Sequence, residues 1–114
     1  MALRLKRVYD DPAPGDGFRV LVDRLWPRGL TKYRAAVDLW AKDVAPSTQL
    51  RRAFHQDGLP WEEFADAYRA ELTAAPALQP LRAELAKHPH ATLLYGAHDP
   101  ERNHAAILLA VLDE

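Results

Sequence analysis

The 114-residue sequence contains no cysteine and only one serine, and these two scarcities restrict its chemistry. Without cysteine there is no disulfide, no thiolate metal ligand and no thiol nucleophile. The one serine, Ser47, follows Pro46 and precedes a helical pattern, so we interpret it as a helix cap and not as the nucleophile of a triad. Because the absence of cysteine fits a reducing compartment, we expect a cytoplasmic protein.

Long apolar runs and glycine-rich motifs are missing as well. No stretch approaches the ~20 apolar residues of a membrane helix, and the first residues lack the apolar run of a signal peptide. The five glycines are scattered, with neither a GxGxxG nor a GKS/GKT phosphate loop. We therefore expect no membrane partner, and the sequence points to no particular cofactor.

The histidines do not show the spacing of a metal site. His88 and His90 flank Pro89, and His98 stands six residues before His104. None of these spacings matches a standard zinc or di-iron site. We predict no metal centre.

The chain has the composition of a globular protein, with 48% hydrophobic and 27% charged residues. Its length suits one domain, 1–114. Strand patterns alternate with helical ones, which predicts a small α/β fold: a partly parallel mixed sheet with helices packed on its faces. The expected strands are 3–9, 18–25, 37–42 and 91–95. The second and fourth are expected at the centre because their side chains are apolar on both faces.

Helical patterns occupy the middle and the end of the chain. We predict one helix after Ser47, one that begins at Pro60, and one around 78–85. A last helix is predicted to begin with Asp99 as its cap and Pro100 as its first residue.

Polar segments follow three of the predicted strands. Because ligands of open α/β sheets bind outside the carboxyl ends of the strands, we expect these segments to gather into one site if the strands are parallel. The site residues predicted on this basis are Asp23, Arg24, Trp26, Arg28, Lys42, Asp43, Asn103 and His104.

Asp23 and His104 are the candidate catalytic residues. Asp23 continues from an apolar strand, so its carboxylate should be partly buried and in need of a partner. His104 falls in the first turn of a helix, where the dipole disfavours a protonated ring, as suits a general base. Simpler structural roles stay open: an Asp–Arg ion pair that fastens the strand end to a helix, and a core histidine bonded to a backbone carbonyl.

The remaining candidates are predicted to bind a small, anionic ligand. Arg24 and Arg28 would supply positive charge, and the rest would complete the wall: Trp26, Lys42, Asp43 and Asn103. Two other functions are alternatives. The five basic residues between Arg19 and Arg34, against one acid, could serve a nucleic-acid-associated or regulatory module, although Trp26 could instead pack under its neighbours. A structural or interaction protein could self-associate through an exposed tryptophan, with Trp26, Trp40 and Trp61 as the candidates.

Four segments resemble the YeaO-like bacterial proteins, part of domain of unknown function family 488. They are 16–29 (DGFRVLVDRLWPRG), 38–47 (DLWAKDVAPS), 93–99 (LLYGAHD) and 103–105 (NHA). The resemblance implies a small, stand-alone, cytosolic α/β protein, and the family has no established activity. 

More distant relatives in this resemblance carry cysteine where Tyr95 stands and a Cys-His-Arg run at Asn103-His104-Ala105. Only His104 matches that pattern here, so the resemblance carries over no thiol or metal chemistry. His98 also departs from the lysine that is expected in close relatives.

Overall fold

The structure is a computed structural model that describes residues 2–114. Four strands form one sheet: β1 (Ala2–Arg7), β2 (Phe18–Leu21), β3 (Leu39–Trp40) and β4 (His90–Tyr95). Their order is β1-β4-β2-β3 and every pair is parallel. The α/β class is thus confirmed, and the two strands expected at the centre lie there, but the sheet is entirely parallel and not mixed as expected. Because all strands run the same way, their carboxyl ends share one edge of the sheet.

Five α-helices surround this sheet: α1 (Lys32–Ala35), α2 (Thr48–His55), α3 (Trp61–Ala74), α4 (Leu78–Leu85) and α5 (His104–Leu112). Two short 3-10 turns, Pro14–Asp16 and Lys42–Val44, complete the secondary structure. Across residues 2–114, no helix has both the length and the apolar character required to cross a membrane.

Hydrophobic cores lie on both faces of the sheet, because successive side chains of a strand point to opposite faces. Val20 and Leu93 belong to the larger core, which they form with residues of α2, α3, α4 and α5. Leu21 and Leu94 belong to a smaller core with Val8 and Ala35 of α1. All four of these strand residues are fully buried, which explains why β2 and β4 are apolar on both faces.

Element ends differ from the sequence expectations near the carboxyl edge. β2 stops at Leu21 instead of residue 25, since only one further ladder bond forms, from Val22 N to Leu94 O, before the chain turns away. The expected strand 37–42 is reduced to the two residues of β3. α5 begins at His104, not at Pro100, because the Asp99 carboxylate caps an isolated turn and Asn103 caps the helix.

A buried ion pair holds the loop before β2 in place. Arg19 and Asp16 are each 4% exposed and pair with one another. Asp16 also accepts hydrogen bonds from Lys6 and from the backbone of Ala13, and Arg19 donates to the carbonyl of Ala35 at 2.8 Å. The pKa of Asp16 lies below its ordinary value, because these hydrogen bonds and charges together outweigh the burial that raises it.

Candidate functional site

A cavity of about 360 Å³ opens at the carboxyl edge of the sheet, and we call it the strand-end cavity. Its walls come from the segments that follow β1, β2 and β4, from α2 and from the start of α5. Phe54 and Phe64 supply apolar surface. The side chains with polar groups in its wall are Tyr9, Asp23, Arg24, Trp26, Arg28, Arg51, His55, Arg102, Asn103 and His104.

Asp23 and His104, from separate segments, meet in this cavity. The Asp23 Oδ1 atom lies 3.1 Å from Nε2 of His104, and Oδ2 accepts a hydrogen bond of 2.9 Å from the backbone N–H of Gly96. Nε2 of His104 also lies 2.9 Å from the carbonyl oxygen of Val22 and forms its hydrogen bond there. Oδ1 is consequently the one buried side-chain polar atom in residues 2–114 that lacks a hydrogen bond of good geometry.

The Gly96 position depends on the absence of a side chain. A Cβ atom there would lie 2.9 Å from Oδ2 of Asp23, the oxygen that Gly96 N–H already binds. Asp23 therefore ties the end of β2 to the end of β4 as well as to α5. Its predicted catalytic role stays a prediction.

The expected Asp–Arg ion pair does not form at Asp23, so that interpretation is wrong. Arg24 instead donates from Nε to the carbonyl of Pro46 at 3.1 Å and from Nη2 to that of Ala45 at 3.0 Å. Successive side chains of an extended chain point in opposite directions, which sends Asp23 toward β4 and Arg24 toward the segment before α2. His104 bonds a backbone carbonyl, as its structural interpretation expected, and it also lines the cavity, while its catalytic role stays a prediction.

The cavity carries an excess of positive charge. Four arginines line it against one carboxylate, that of Asp23. Arg28, Arg51 and Arg102 are exposed, and within residues 2–114 their side chains form no hydrogen bond or ion pair. The pKa of His55 is lowered by burial and by the positive charge of Arg51 and His104, only partly offset by Asp23. The positive potential that lowers the pKa of His55 would also attract an anionic ligand in the cavity.

Trp26 and Asn103 line the cavity, but their polar groups are occupied. The indole N–H of Trp26 donates to the carbonyl of Leu30 at 2.7 Å, and the ring packs against the smaller core. This agrees with the alternative that Trp26 packs under its neighbours. The Asn103 side chain accepts from the N–H of Ala106 and donates to the carbonyl of Asp99. Both residues therefore shape the wall more than they offer free donors.

Lys42 and Asp43 lie outside the strand-end cavity. The Lys42 ammonium stands 5.1 Å from the ring centre of Trp40, and Asp43 borders a separate hollow of about 130 Å³. The reason is the 3-10 turn after β3: the hydroxyl of Tyr68 donates to the carbonyl of Val44 and so ties this turn to α3. Burial raises the pKa of that hydroxyl well above its usual range. The segment after β3, which contains Lys42 and Asp43, therefore does not join the segments after β2 and β4 as expected.

Several cavity residues were not singled out from the sequence. Arg51 and His55 come from α2, which the chain order does not connect with the strand ends. α2 is held there by Ser47, its cap, whose N–H and hydroxyl both donate to the Glu71 carboxylate of α3. Arg102 lies in the segment between β4 and α5, which was predicted to reach the site, so its positive charge could have identified it as a site residue.

The basic segment between Arg19 and Arg34 is divided by the fold. Arg19 is buried and Arg24 is bonded to backbone carbonyls, so three of its five basic residues remain exposed: Arg28, Lys32 and Arg34. This arrangement reduces the charge that the segment could offer to a nucleic acid.

Two of the three tryptophans lie near the cavity. Trp40 is 37% exposed, more than Trp26 or Trp61, and its indole N–H donates to the Asp23 carbonyl at 2.8 Å. Trp40 is therefore the tryptophan most available for the self-association alternative.

Sequence comparison decides the family. A family model described as "Inactive DUF488-N3 subclade" matches residues 2–114. The chain belongs to this DUF488 family. It is 44% identical over 108 residues to the uncharacterized protein YeaO of Escherichia coli (strain K12), covering 95% of this chain and 94% of YeaO. It is 42% identical over 111 residues to the uncharacterized protein Rv3073c of Mycobacterium tuberculosis (strain ATCC 25618 / H37Rv), covering 97% and 93%. No solved structure matches.

The YeaO-like resemblance inferred from the motifs is confirmed by these matches. In this DUF488 chain, two of the three positions at which the resemblance gave cysteine or arginine in distant relatives are filled by packed side chains, Tyr95 and Ala105, whereas the third, Asn103, lines the strand-end cavity. Tyr95 is 3% exposed, and Ala105 is fully buried; neither lines the strand-end cavity. Burial raises the pKa of the Tyr95 hydroxyl. These positions therefore contribute packing, not a thiol or a charge.

Proposed function

We propose that this DUF488 protein binds a small organic anion in the strand-end cavity. The observation that carries the proposal is the convergence of Arg28, Arg51 and Arg102, which have no internal partners, on an open cavity with a single carboxylate. Guanidinium groups bind carboxylates and phosphates with paired hydrogen bonds. A volume of about 360 Å³ also falls at the small end of the range of ligand sites.

Binding is favoured over catalysis by the chemistry of the chain. There is no cysteine, and the hydroxyl of Ser47 donates to Glu71 at 2.6 Å while it accepts the N–H of Leu50. The matched family model is described as inactive, which fits a cavity that retains recognition without a nucleophile. Asp23 and His104 would then position the ligand and the loops around it, with Arg24 holding the wall.

The proposal is tested by calorimetric titration of the protein with inorganic phosphate and with butyrate at low salt. We expect Arg28→Gln and Arg51→Gln each to weaken binding about fivefold, since each removes one exposed charge contact. Arg52→Gln is the matched control, because Arg52 is an exposed neighbour of Arg51 on α2 that does not line the cavity.

Two results would contradict the proposal. The absence of any heat or saturable signal with either anion would remove the site. An Arg52→Gln variant that loses as much affinity as Arg51→Gln would show a general surface charge effect and not a defined site.

We infer also that the chain folds as one domain and works in the cytoplasm. β2 and β4 contribute to both cores, so the two cores share their central strands, and the lack of cysteine suits a reducing compartment. Urea unfolding followed by far-UV circular dichroism and by tryptophan fluorescence should give coincident transitions. Separate transitions would contradict the single domain.

A further inference from the structure

The contacts of His104 fix which nitrogen of its ring carries the proton. Nε2 faces two acceptors, the carbonyl oxygen of Val22 at 2.9 Å and Oδ1 of Asp23 at 3.1 Å. Because an unprotonated nitrogen there would face two oxygens, Nε2 must be the N–H in the neutral ring. Nδ1 is then a bare acceptor.

This Nδ1 atom is available to a ligand. It has no hydrogen-bond partner in the described part of the chain, and it is not among the buried polar atoms that lack one, so part of its surface is exposed. The His104 side chain is 15% exposed and lines the strand-end cavity. The ring therefore presents an acceptor to whatever occupies this space.

The acceptors of Asp23 and Asn103 are not available to a ligand. Oδ2 of Asp23 accepts from Gly96, Oδ1 is buried, and the Asn103 amide oxygen accepts the N–H of Ala106. Of Asp23, Asn103 and His104, only His104 thus has an acceptor available to a ligand, whereas the exposed arginines offer donors and positive charge. A ligand that matches both needs one hydrogen-bond donor and one anionic group.

We propose that the ligand class is a hydroxyl-bearing organic anion, with the hydroxyl donating to Nδ1 of His104 and the anionic group held by the arginines. This inference rests on the proposed anion site. A hydroxyl is a better match than an ammonium, because an ammonium has three donors for one acceptor and is repelled by the cationic wall. The carbon skeleton would lie against Phe54 and Phe64.

The test compares anions that differ only in hydroxylation. Butyrate is compared with 2-, 3- and 4-hydroxybutyrate, which place the hydroxyl at increasing distance from the carboxylate, and propyl phosphate is compared with glycerol 3-phosphate. Titrations are run at about pH 8, where an imidazole is neutral. We expect at least one hydroxylated anion to bind about fivefold tighter than its parent, as one added hydrogen bond would give. The two series distinguish a carboxylate from a phosphate.

His104→Gln provides the matched variant. Its amide can still donate to the Val22 carbonyl, but it has no acceptor at the Nδ1 position, so the ratio between hydroxylated and parent anion should fall to about one. In the unaltered protein, the ¹⁵N resonance of Nδ1 should identify an unprotonated nitrogen and should shift with the hydroxylated anion only.

The outcomes separate this inference from the proposed function. If the parent anions bind and no hydroxylated anion binds tighter, the hydroxyl inference is overturned and the anion site stands. A proton found on Nδ1 in the neutral free protein would also overturn it. If no anion of either series binds, the anion site itself is refuted.

Discussion

Replacing Asp23 by asparagine tests whether the carboxylate positions the strand ends. An amide oxygen could still accept the N–H of Gly96, but the amide NH₂ would then face the Nε2–H of His104, and two donors would oppose each other. The conflict is relieved only if the His104 ring changes tautomer, which leaves the Val22 carbonyl without its donor, or if the amide turns and leaves Gly96 N–H without an acceptor.

The expected magnitude follows from these contacts. Either adjustment leaves one backbone group unpaired at the edge of the core, at a cost of about 1–3 kcal/mol. Asp23 and His104 side chains are 22% and 15% exposed, so solvent screens their attraction only in part. We therefore expect Asp23→Asn to lower the free energy of unfolding by about 2 kcal/mol, or the Tm by roughly 8–10 °C.

Urea unfolding of Asp23→Asn, His104→Gln and the double variant measures this effect as a double-mutant cycle. Asp43→Asn is the control, since Asp43 is an exposed aspartate outside the strand-end cavity. We expect the control to stay within about 0.5 kcal/mol of the parent. The reasoning is refuted if Asp23→Asn behaves like the control, or if the two single effects simply add.

Three further predictions concern backbone and pH. Gly17→Ala should lower the free energy of unfolding in urea by about 2–4 kcal/mol, because Gly17 has a positive φ and an added Cβ would overlap the His90 carbonyl. Gly29→Ala should lower it by about 1 kcal/mol, because Gly29 has a positive φ but open space around it. Equal losses would contradict this prediction. Since the pKa of Asp16 lies below its ordinary 3.8, its stabilising contribution should be present above that pH and lost progressively as the pH falls below it; Asp16→Asn should flatten acid unfolding curves there. The pKa of His55 lies below its ordinary 6.5, and a bound anion should raise it, so the affinity for butyrate, which stays ionised near this pH, should increase as the pH falls below 6.5; an unchanged profile in His55→Gln would contradict this.

Local sequence patterns were sufficient to predict the elements that depend on local physics. Ser47 caps α2 as expected, since its hydroxyl accepts the N–H of Leu50. The apolar runs of β2 and β4 predicted central strands because both faces of a central strand must be covered. The approach of Asp23 to His104 follows from parallel strands, whose carboxyl ends share an edge.

Features that depend on distant contacts could not be predicted. Arg51 and His55 reach the cavity because Glu71 on α3 holds the start of α2, a contact 24 residues apart in the chain. Lys42 is absent from the cavity because a tyrosine on α3 holds the turn after β3. Neither contact can be detected from hydrophobic periodicity. The charged residues alone therefore predicted, wrongly, that the segment with Lys42 would line the site in place of α2.

The two indoles beside the strand-end cavity give the molecule an optical consequence. Trp26 lines the cavity. The ring of Trp40 packs edge-on against the ring of Trp26, with ring centres 5.4 Å apart, and its N–H donates to the Asp23 carbonyl. An occupant that moves either ring or changes the field around it should alter intrinsic emission, so binding could be followed without any label. The protein thus carries its own reporter at the place where occupancy matters.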